Sequence, residues 1–485
     1  MTRRHMLQGS GAVLAAAAVA SPTLGASAPA APAISPTMAR LSTFMAEAGS
    51  KAIPDPVAEK AKQHILDTLG AMVSGADLPP GKFAIDFARI YKGEPVATVA
   101  GSNLVIGPME AALVNGILAH SDETDDSHPL SLSHPGAAVV PAALAAGERF
   151  GVDGTRFLRA VVLGYDIGPR FTATLGRQQY QSTTSRSTHA LAGNFGAAAA
   201  AGCCAGLTAQ QMRWLLSYAA QQGSGIASWQ RDTDHIEKGF DFGGMPARNG
   251  VTAALLVQAG GTGVDDVLSG ADNFFQAFKP LNDPSMVIEA LGERYEVMRT
   301  DIKKWTVGSP VQAPLDALSN LMQRHRFNGD AVQKVVVTVG AREASVVNAR
   351  DLADISAQHL LAVMLVDGTV TFKSSHDASR MRDPAVLRQR AKISLVGDVE
   401  LEKLLPRRVG IVEVTLAAGR MVSERVETVR GTAGNPMTRE EIVAKARDLI
   451  VPILGAAKFE QLTAKIFALE SVRSLAELRP LLQRA

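Results

Sequence analysis

VAEKAKQHILDTLGAMV, residues 57–73, sets Val57, Ala61, Ile65, Leu69 and Val73 at intervals of four, which is one apolar stripe along an α-helix. A half-buried strand would alternate every second residue, and this run does not. Outward from it, the same three-and-four spacing dominates from Ser35 to Phe278, broken mostly by short joints marked with glycine or proline. Residues 197–202 (AAAAAG), with Gly193 and Gly196 before them, let helix backbones approach closely, as a densely packed helical domain requires. Within this region only residues 96–101 alternate like a strand, as one half of a hairpin.

After Pro280 the pattern changes. Residues 334–339 (KVVVTV), 410–416 (GIVEVTL) and 420–429 are β-branched and alternating, and helical stretches near 310–326 and 355–367 separate them. Amphipathic helices return from 438 to 482. The reading is a mainly α protein: a large all-helical domain with a smaller α+β lid domain inserted before the C-terminal helices. Its divisions are an export signal at 1–32, the helical domain's first part at 33–280, the lid at 281–430 and the helical domain's C-terminal part at 431–485.

The export signal rests on order as well as composition. Residues 2–7 (TRRHML) are basic with paired Arg3 and Arg4, residues 11–20 are weakly apolar, and ASA at 26–28 or APA at 28–30 offers a small-residue cleavage site. The expectation is export by the twin-arginine machinery to the periplasm or beyond. No other apolar run approaches the ~20 residues of a spanning helix.

Composition narrows the function. Over 485 residues the formal net charge is +2, and no basic stripe interleaved with aromatics occurs, so nucleic-acid binding has no electrostatic support. The only cysteines, Cys203 and Cys204, sit side by side in a small-residue run. They are too few for the usual four ligands of an iron–sulfur cluster and read as small core residues.

Chemistry concentrates at 120–136, HSDETDDSHPLSLSHPG, which holds three histidines and four carboxylates with no lysine or arginine. Acids and imidazoles held together perturb one another's pKa values, as proton transfer or metal ligation requires. The run follows a helix at 107–120 and precedes another starting near Pro135, so it is a loop held by rigid elements. His128 and His134 with Asp125 or Asp126 are competent metal ligands, but no HExxH, CxxC or EF-hand spacing supports a metal. Phosphate chemistry has neither a Walker loop nor a GxGxxG after a strand.

A second polar island, 231–249 (RDTDHIEKGFDFGGMPARN), brings His235, Lys238, Asp241 and Arg248 to a glycine-rich turn before a helix at 247–260. The start of that helix would attract a carboxylate. Residues 302–305 (IKKW) put Lys303 beside an aromatic at the entry to the lid.

Together these segments resemble the MmgE/PrpD family, whose members include 2-methylcitrate dehydratase, cis-aconitate decarboxylase and an iminodisuccinate epimerase. The most specific pieces are DDSHP…SHPG at 125–136, GNFGAAAAAG at 193–202, a lysine followed by GGMPARNG at 238–250, and LVDG at 365–368. The resemblance implies a helical domain and an α+β lid with a polar cleft between them, a homodimer, and catalysis without metal or cofactor. It assigns catalytic roles to Asp126, Ser127, His134, Lys238 and Lys303.

Some positions depart from the family. Glu123 stands where an aspartate is common, and Ser187 replaces a histidine whose nearest substitute is His189. The lid histidine falls at Gly308 or Ser309, and His359 occupies a tyrosine position.

The expected activity is a cofactor-independent lyase, a dehydratase removing water from a hydroxylated di- or tricarboxylate. His134 would move the proton with Asp126 as its partner, and Ser127 would hydrogen-bond substrate. Lys238, Lys303 and Arg248 would hold its carboxylates, with Glu123, His128, His189 and His359 as further binding or acid–base candidates. Epimerisation or decarboxylation on the same fold, or an exported carboxylate-binding protein without turnover, are the alternatives.

Overall fold

The computed structural model describes residues 34–417 and 419–484, so the expected export signal at 1–32 lies outside the described residues. The helix Asp55–Gly75 carries the stripe read above, yet every residue from Lys60 to Gly75 is buried. It is enclosed because the C-terminal helix Arg439–Leu454 packs on it; a Cβ at Gly70 would stand 3.0 Å from Leu449. Two of its buried ions are paired, Lys62 with Glu470 and Asp67 with Lys445 at 2.7 Å each. Buried ions survive only when paired in this way.

Against this helix pack Pro108–Ala119, Pro135–Phe150 and Gly154–Leu175, and Thr188–Ala205 and Met245–Gln258 pack on those in turn. The small-residue run does what its composition implies: a Cβ at Gly168 would lie 2.3 Å from the Ala192 carbonyl, so these backbones meet without side chains between them. The C-terminal residues Ile442, Leu449, Ile450, Phe459 and Leu462 share one core with Ile65, Leu69, Val140 and Phe195. Helix dominates the molecule, as expected.

A second core belongs to the segment after Trp305 and includes Val311, Leu315, Leu360 and Leu361 with Val335, Val337, Val412 and Val414 of a sheet. Two short strands, β1 (Ala97–Thr98) and β2 (Val105–Ile106), form the small hairpin of the helical part. The larger sheet is built from β3 (Val332–Gly340), β4 (Ile393–Asp398), β5 (Gly410–Leu416) and β6 (Met421–Val426), in the order β4-β3-β5-β6. β3 runs parallel to β4, with Val337 opposite Leu395, and antiparallel to β5, with Val336 opposite Glu413.

Strand β4 was not anticipated. At this sheet edge only Ile393 of its residues is buried, so the alternation that marks a half-buried strand is missing. A second difference concerns residues 236–258. The glycine-rich turn is instead continuous helix: Ile236–Gly239 runs into Met245–Gln258 through a widened turn in which Met245 N–H donates to Phe240 O, five residues back. Crossing against Gly116 causes it; a Cβ on Gly243 would fall 2.1 Å from the Gly116 carbonyl, which only glycine permits. No helix among the described residues is long and apolar enough to cross a membrane.

Candidate active site

The helix Pro108–Ala119 ends at His120, and the chain then runs extended to the helix Pro135–Phe150. Ser127 pairs with Asp301 through both backbone hydrogen bonds, 2.9 and 2.8 Å, tying this loop to the entry of the lid segment. The pairing makes the backbone locally extended, so successive side chains turn to opposite sides. Asp125 and Asp126 therefore serve different surroundings.

Asp125 is fully buried between two imidazoles. His134 Nδ1 lies 3.2 Å from both of its oxygens, His120 Nδ1 3.0 Å from Oδ1, and Lys303 Nζ 3.7 Å away. Burial opposes its charge, but His120, His134 and Lys303 outweigh that and hold its carboxyl well below the usual range. An ionised Asp125 accepts the Nδ1 proton of His134 and leaves Nε2 as the free nitrogen of the ring. Burial also draws the His134 pKa below the ordinary imidazole value, against Asp125 and with Lys303.

The expected pairing of His134 with Asp126 is thereby corrected. Asp126 faces the helical core, where its Oδ2 meets His64 Nδ1 at 2.7 Å and Tyr165 Oη at 2.5 Å, and its Oδ1 accepts from Gly136 N at 3.0 Å. It holds the first turn of the helix that follows His134. Gly136 has to be glycine there, since a Cβ would stand 2.6–2.9 Å from Thr68, Tyr165 and Asp126 oxygens.

His189 joins His134. Ser187, in place of the family histidine, caps the helix Thr188–Ala205 through Ala190 N and donates to Asp241. Two residues on, His189 stacks on Phe242 at 3.8 Å between centroids and lies 5.3 Å from the His134 ring. Phe242 also stacks on His120 at 4.4 Å, so one phenyl ring spaces two imidazoles. Burial first, then His134 and His120, take the His189 pKa well below normal, and its Nδ1 has no partner.

His134, His189, Ser127 and Lys303 face one cavity of about 450 Å³. Arg299, Arg407, Arg408 and Arg430 also line it, each paired with a glutamate, together with Asp301 and Glu427. Lys303 also donates to the Glu123 carbonyl at 2.7 Å. Glu123 and Lys238 stand behind the cavity, paired with one another, and Lys238 lies over Trp229 and Phe242 at 5.5 and 5.3 Å. Lys238 thus acts on the cluster through Glu123 and the aromatic rings.

Three further residues are placed differently from expectation. His128, although it edges the cavity, closes its own loop: its N–H donates to Ser133 O, Nδ1 meets Ser131 Oγ at 2.8 Å and Nε2 meets Glu296 at 3.1 Å. Arg248 hydrogen-bonds Asn249 and does not line the cavity. His359 is buried in the lid with both ring nitrogens unpartnered, its pKa pushed down to about 4 by burial, Arg390 and Arg380. Arg248 belongs to the helix Met245–Gln258 and His359 to the helix Ala357–Asp367, and neither lines the cavity.

Among the described residues, two groups, His120–Asp125–His134 and His120–Glu123–His235, bring ligand atoms within 4.8 Å of one another and could hold a cation. Lys303 and Lys238 already supply positive charge to Asp125 and Glu123, so the same carboxylates are neutralised by the protein's own ammonium groups.

Against known proteins, residues 39–286 match the MmgE/PrpD N-terminal domain and residues 305–470 the MmgE/PrpD C-terminal domain. The chain belongs to the MmgE/PrpD family. Cis-aconitate decarboxylase-like protein oryM of Aspergillus oryzae is 25% identical over 476 residues, 92% of this chain and 96% of its own length. Cis-aconitate decarboxylase of Aspergillus terreus is 25% identical over 465 residues (89% and 92%), and that of Homo sapiens 25% over 451 (89% and 91%). The MmgE/PrpD family and these relatives are enzymes of dehydratase and decarboxylase type.

Of the positions carried over from the MmgE/PrpD resemblance, His134, Lys303 and Ser127 meet at the cavity, while Asp126 and Lys238 support it from behind. Missed by sequence reasoning were Asp125 as the histidine's partner, His120 and Phe242. His120 and Asp125 lay in the quoted run. Phe242 carried no polar signal at all.

Proposed function

We propose that this protein is a cofactor-independent lyase that removes water from a hydroxylated di- or tricarboxylate. The carrying observation is the Asp125–His134 pair opening with Lys303 onto a cavity that four arginines also line. His134 Nε2 takes the proton α to a carboxylate, and Asp125 stabilises the imidazolium that forms. The C–H electron pair becomes the double bond as the C–O bond breaks. The proton on His134 leaves with the hydroxide as water, so the ring ends neutral.

Negative charge builds on a group already negative, and the Lys303 ammonium lies where it can absorb it. Preorganised donors of this kind are worth ~3 kcal/mol each. The arginines would bind the remaining carboxylates, for which bidentate guanidinium geometry is suited.

A second reading has an observation of its own. The relatives named above are called cis-aconitate decarboxylases, and the same groups suit decarboxylation: the C–C electron pair released with carbon dioxide would be protonated on carbon by His134. Incubating the protein in heavy water with hydroxy- and unsaturated polycarboxylates, followed by NMR, separates the two. Water loss supports the first reading and carbon dioxide release the second, while α-proton exchange without net product points to epimerisation. Binding without exchange or product would leave a carboxylate-binding protein.

The proposal includes export by the twin-arginine route, which favours an extracytoplasmic polycarboxylate as substrate, and a homodimer. A reporter fused to residues 1–32, with Arg3 and Arg4 replaced by lysine as control, tests the first. Light scattering tests the second.

A further inference from the structure

Three polar side chains outside the cavity lining converge on one another. The ligand atoms of His120, Glu123 and His235 lie within 4.8 Å of each other, and the two imidazole rings are 5.1 Å apart between centroids. His235 reaches this position from a φ of +65°, the left-handed region that side chains rarely adopt. Strain of that kind persists where the surroundings fix it.

The free nitrogens of the two rings point to a ligand. His120 is fully buried, and its Nδ1 lies 3.0 Å from Asp125 Oδ1. An ionised Asp125 accepts the Nδ1 proton, which leaves Nε2 with its lone pair. That nitrogen and the Nε2 of His235 are both buried, and neither has a hydrogen-bond partner among the described residues. Buried polar atoms left unmet cost free energy. A carboxylate that takes the other ring proton of a histidine is also what orients imidazoles on a metal ion.

We propose that His120, Glu123 and His235 bind a Zn²⁺ ion, in competition with the Lys238 ammonium. Two imidazoles and a carboxylate are a donor set that zinc takes in tetrahedral geometry, with bonds of ~2.1 Å and ligand atoms therefore ~3.4 Å apart. Lys238 is the competitor already in place. It pairs with Glu123, yet its side chain is 17% exposed, so its ammonium can withdraw to water when the ion takes the carboxylate. The site stands on these residues alone and does not depend on which reaction the cavity performs.

Calorimetric titration of the metal-free protein with zinc chloride tests it, using wild type, His235→Asn, His235→Gly, Lys238→Met and His134→Ala. Asparagine and glycine both accept a left-handed φ, so the His235 variants should keep the fold, which thermal melts check. The wild type should bind one Zn²⁺ per chain, and Co²⁺ in its place should show the visible absorption of a tetrahedral site. Either His235 variant should weaken Zn²⁺ binding by at least about tenfold, since even disturbing an outer partner of a ligand costs that much. Lys238→Met should tighten it by about tenfold or more, because the opposing charge is gone. No Zn²⁺ binding by the wild type, or binding equal in wild type and both His235 variants, overturns the site. Binding lost in His134→Ala but kept in the His235 variants overturns it too, by moving the ion to His120, Asp125 and His134. An affinity that Lys238→Met leaves unchanged overturns the competition.

Discussion

Asp125 and Asp126 are neighbours in the chain and face opposite sides of it, Asp125 toward His134 at 3.2 Å and Asp126 toward His64 at 2.7 Å. One carboxylate belongs to the reacting cluster and the other to the core beneath it. Their substitutions should therefore separate chemistry from folding.

Asp125→Asn removes the charge that stabilises the His134 imidazolium and should lower kcat/KM by about a hundredfold or more, as losing a positioned acid–base partner does. Asp126→Asn keeps that partner but unsettles buried bonds to Tyr165, His64 and Gly136, and should cost about 1–3 kcal/mol of stability. Denaturant midpoints and kcat/KM measured side by side decide it. Equal loss of turnover in both, with Asp126→Asn still fully stable, would make the assignment wrong.

The pH dependence of turnover follows from His134. Its pKa is drawn below the ordinary imidazole value, chiefly by burial, so the neutral ring persists to lower pH than a free imidazole. The acid limb of kcat/KM should fall below pH ~6.5, the unperturbed imidazole value. A limb centred above that value would remove His134 as the base.

Phe242 is nearly fully buried with its faces against His120 and His189. Phe242→Ala should destabilise the protein by about 3–5 kcal/mol. It should also cut turnover in the fraction that stays folded, since the ring that positions His189 is gone. Thermal melts with activity normalised to folded protein check both parts.

Helical part and lid are also joined by His376 of the short helix Phe372–His376, whose Nε2 lies 2.7 Å from Asp122. Burial lowers the His376 pKa, but Asp122 outweighs it and takes it up to about 9, while Asp122 itself is lowered. A rise from 6.5 to about 9 corresponds to about 3 kcal/mol. That contribution is complete below pH ~6.5 and disappears as pH rises through about 9. His376→Asn should be destabilised at pH 6 and converge on wild type above pH 9, read from urea midpoints at both. A pH-independent difference would show that the pair carries no such linkage.

The helices at 57–73, 107–120 and 310–326 were legible because each repeats its apolar residues at three and four, a property local to the chain. The sheet was legible where alternation is strong, as in β3 and β5, and not at β4, which buries too little to alternate. In the site, His134 was found because it stands in an acid-rich run, whereas Lys303 and His189 came from the MmgE/PrpD resemblance. Asp125 was not legible as the partner of His134, since two adjacent aspartates are indistinguishable until the backbone direction is known.

The sequence by itself determined the helical architecture with its α+β insertion, the acid- and imidazole-rich loop, and the family, because periodicity and residue type are carried locally along the chain. Tertiary structure alone decided which acid meets His134, that Phe242 spaces His120 and His189, and that Arg248 and His359 do not line the cavity. Those are relations of direction between segments far apart in the chain. They exist only once the helix crossing at Gly116 and Gly243 and the Ser127–Asp301 pairing have set how the loops face one another.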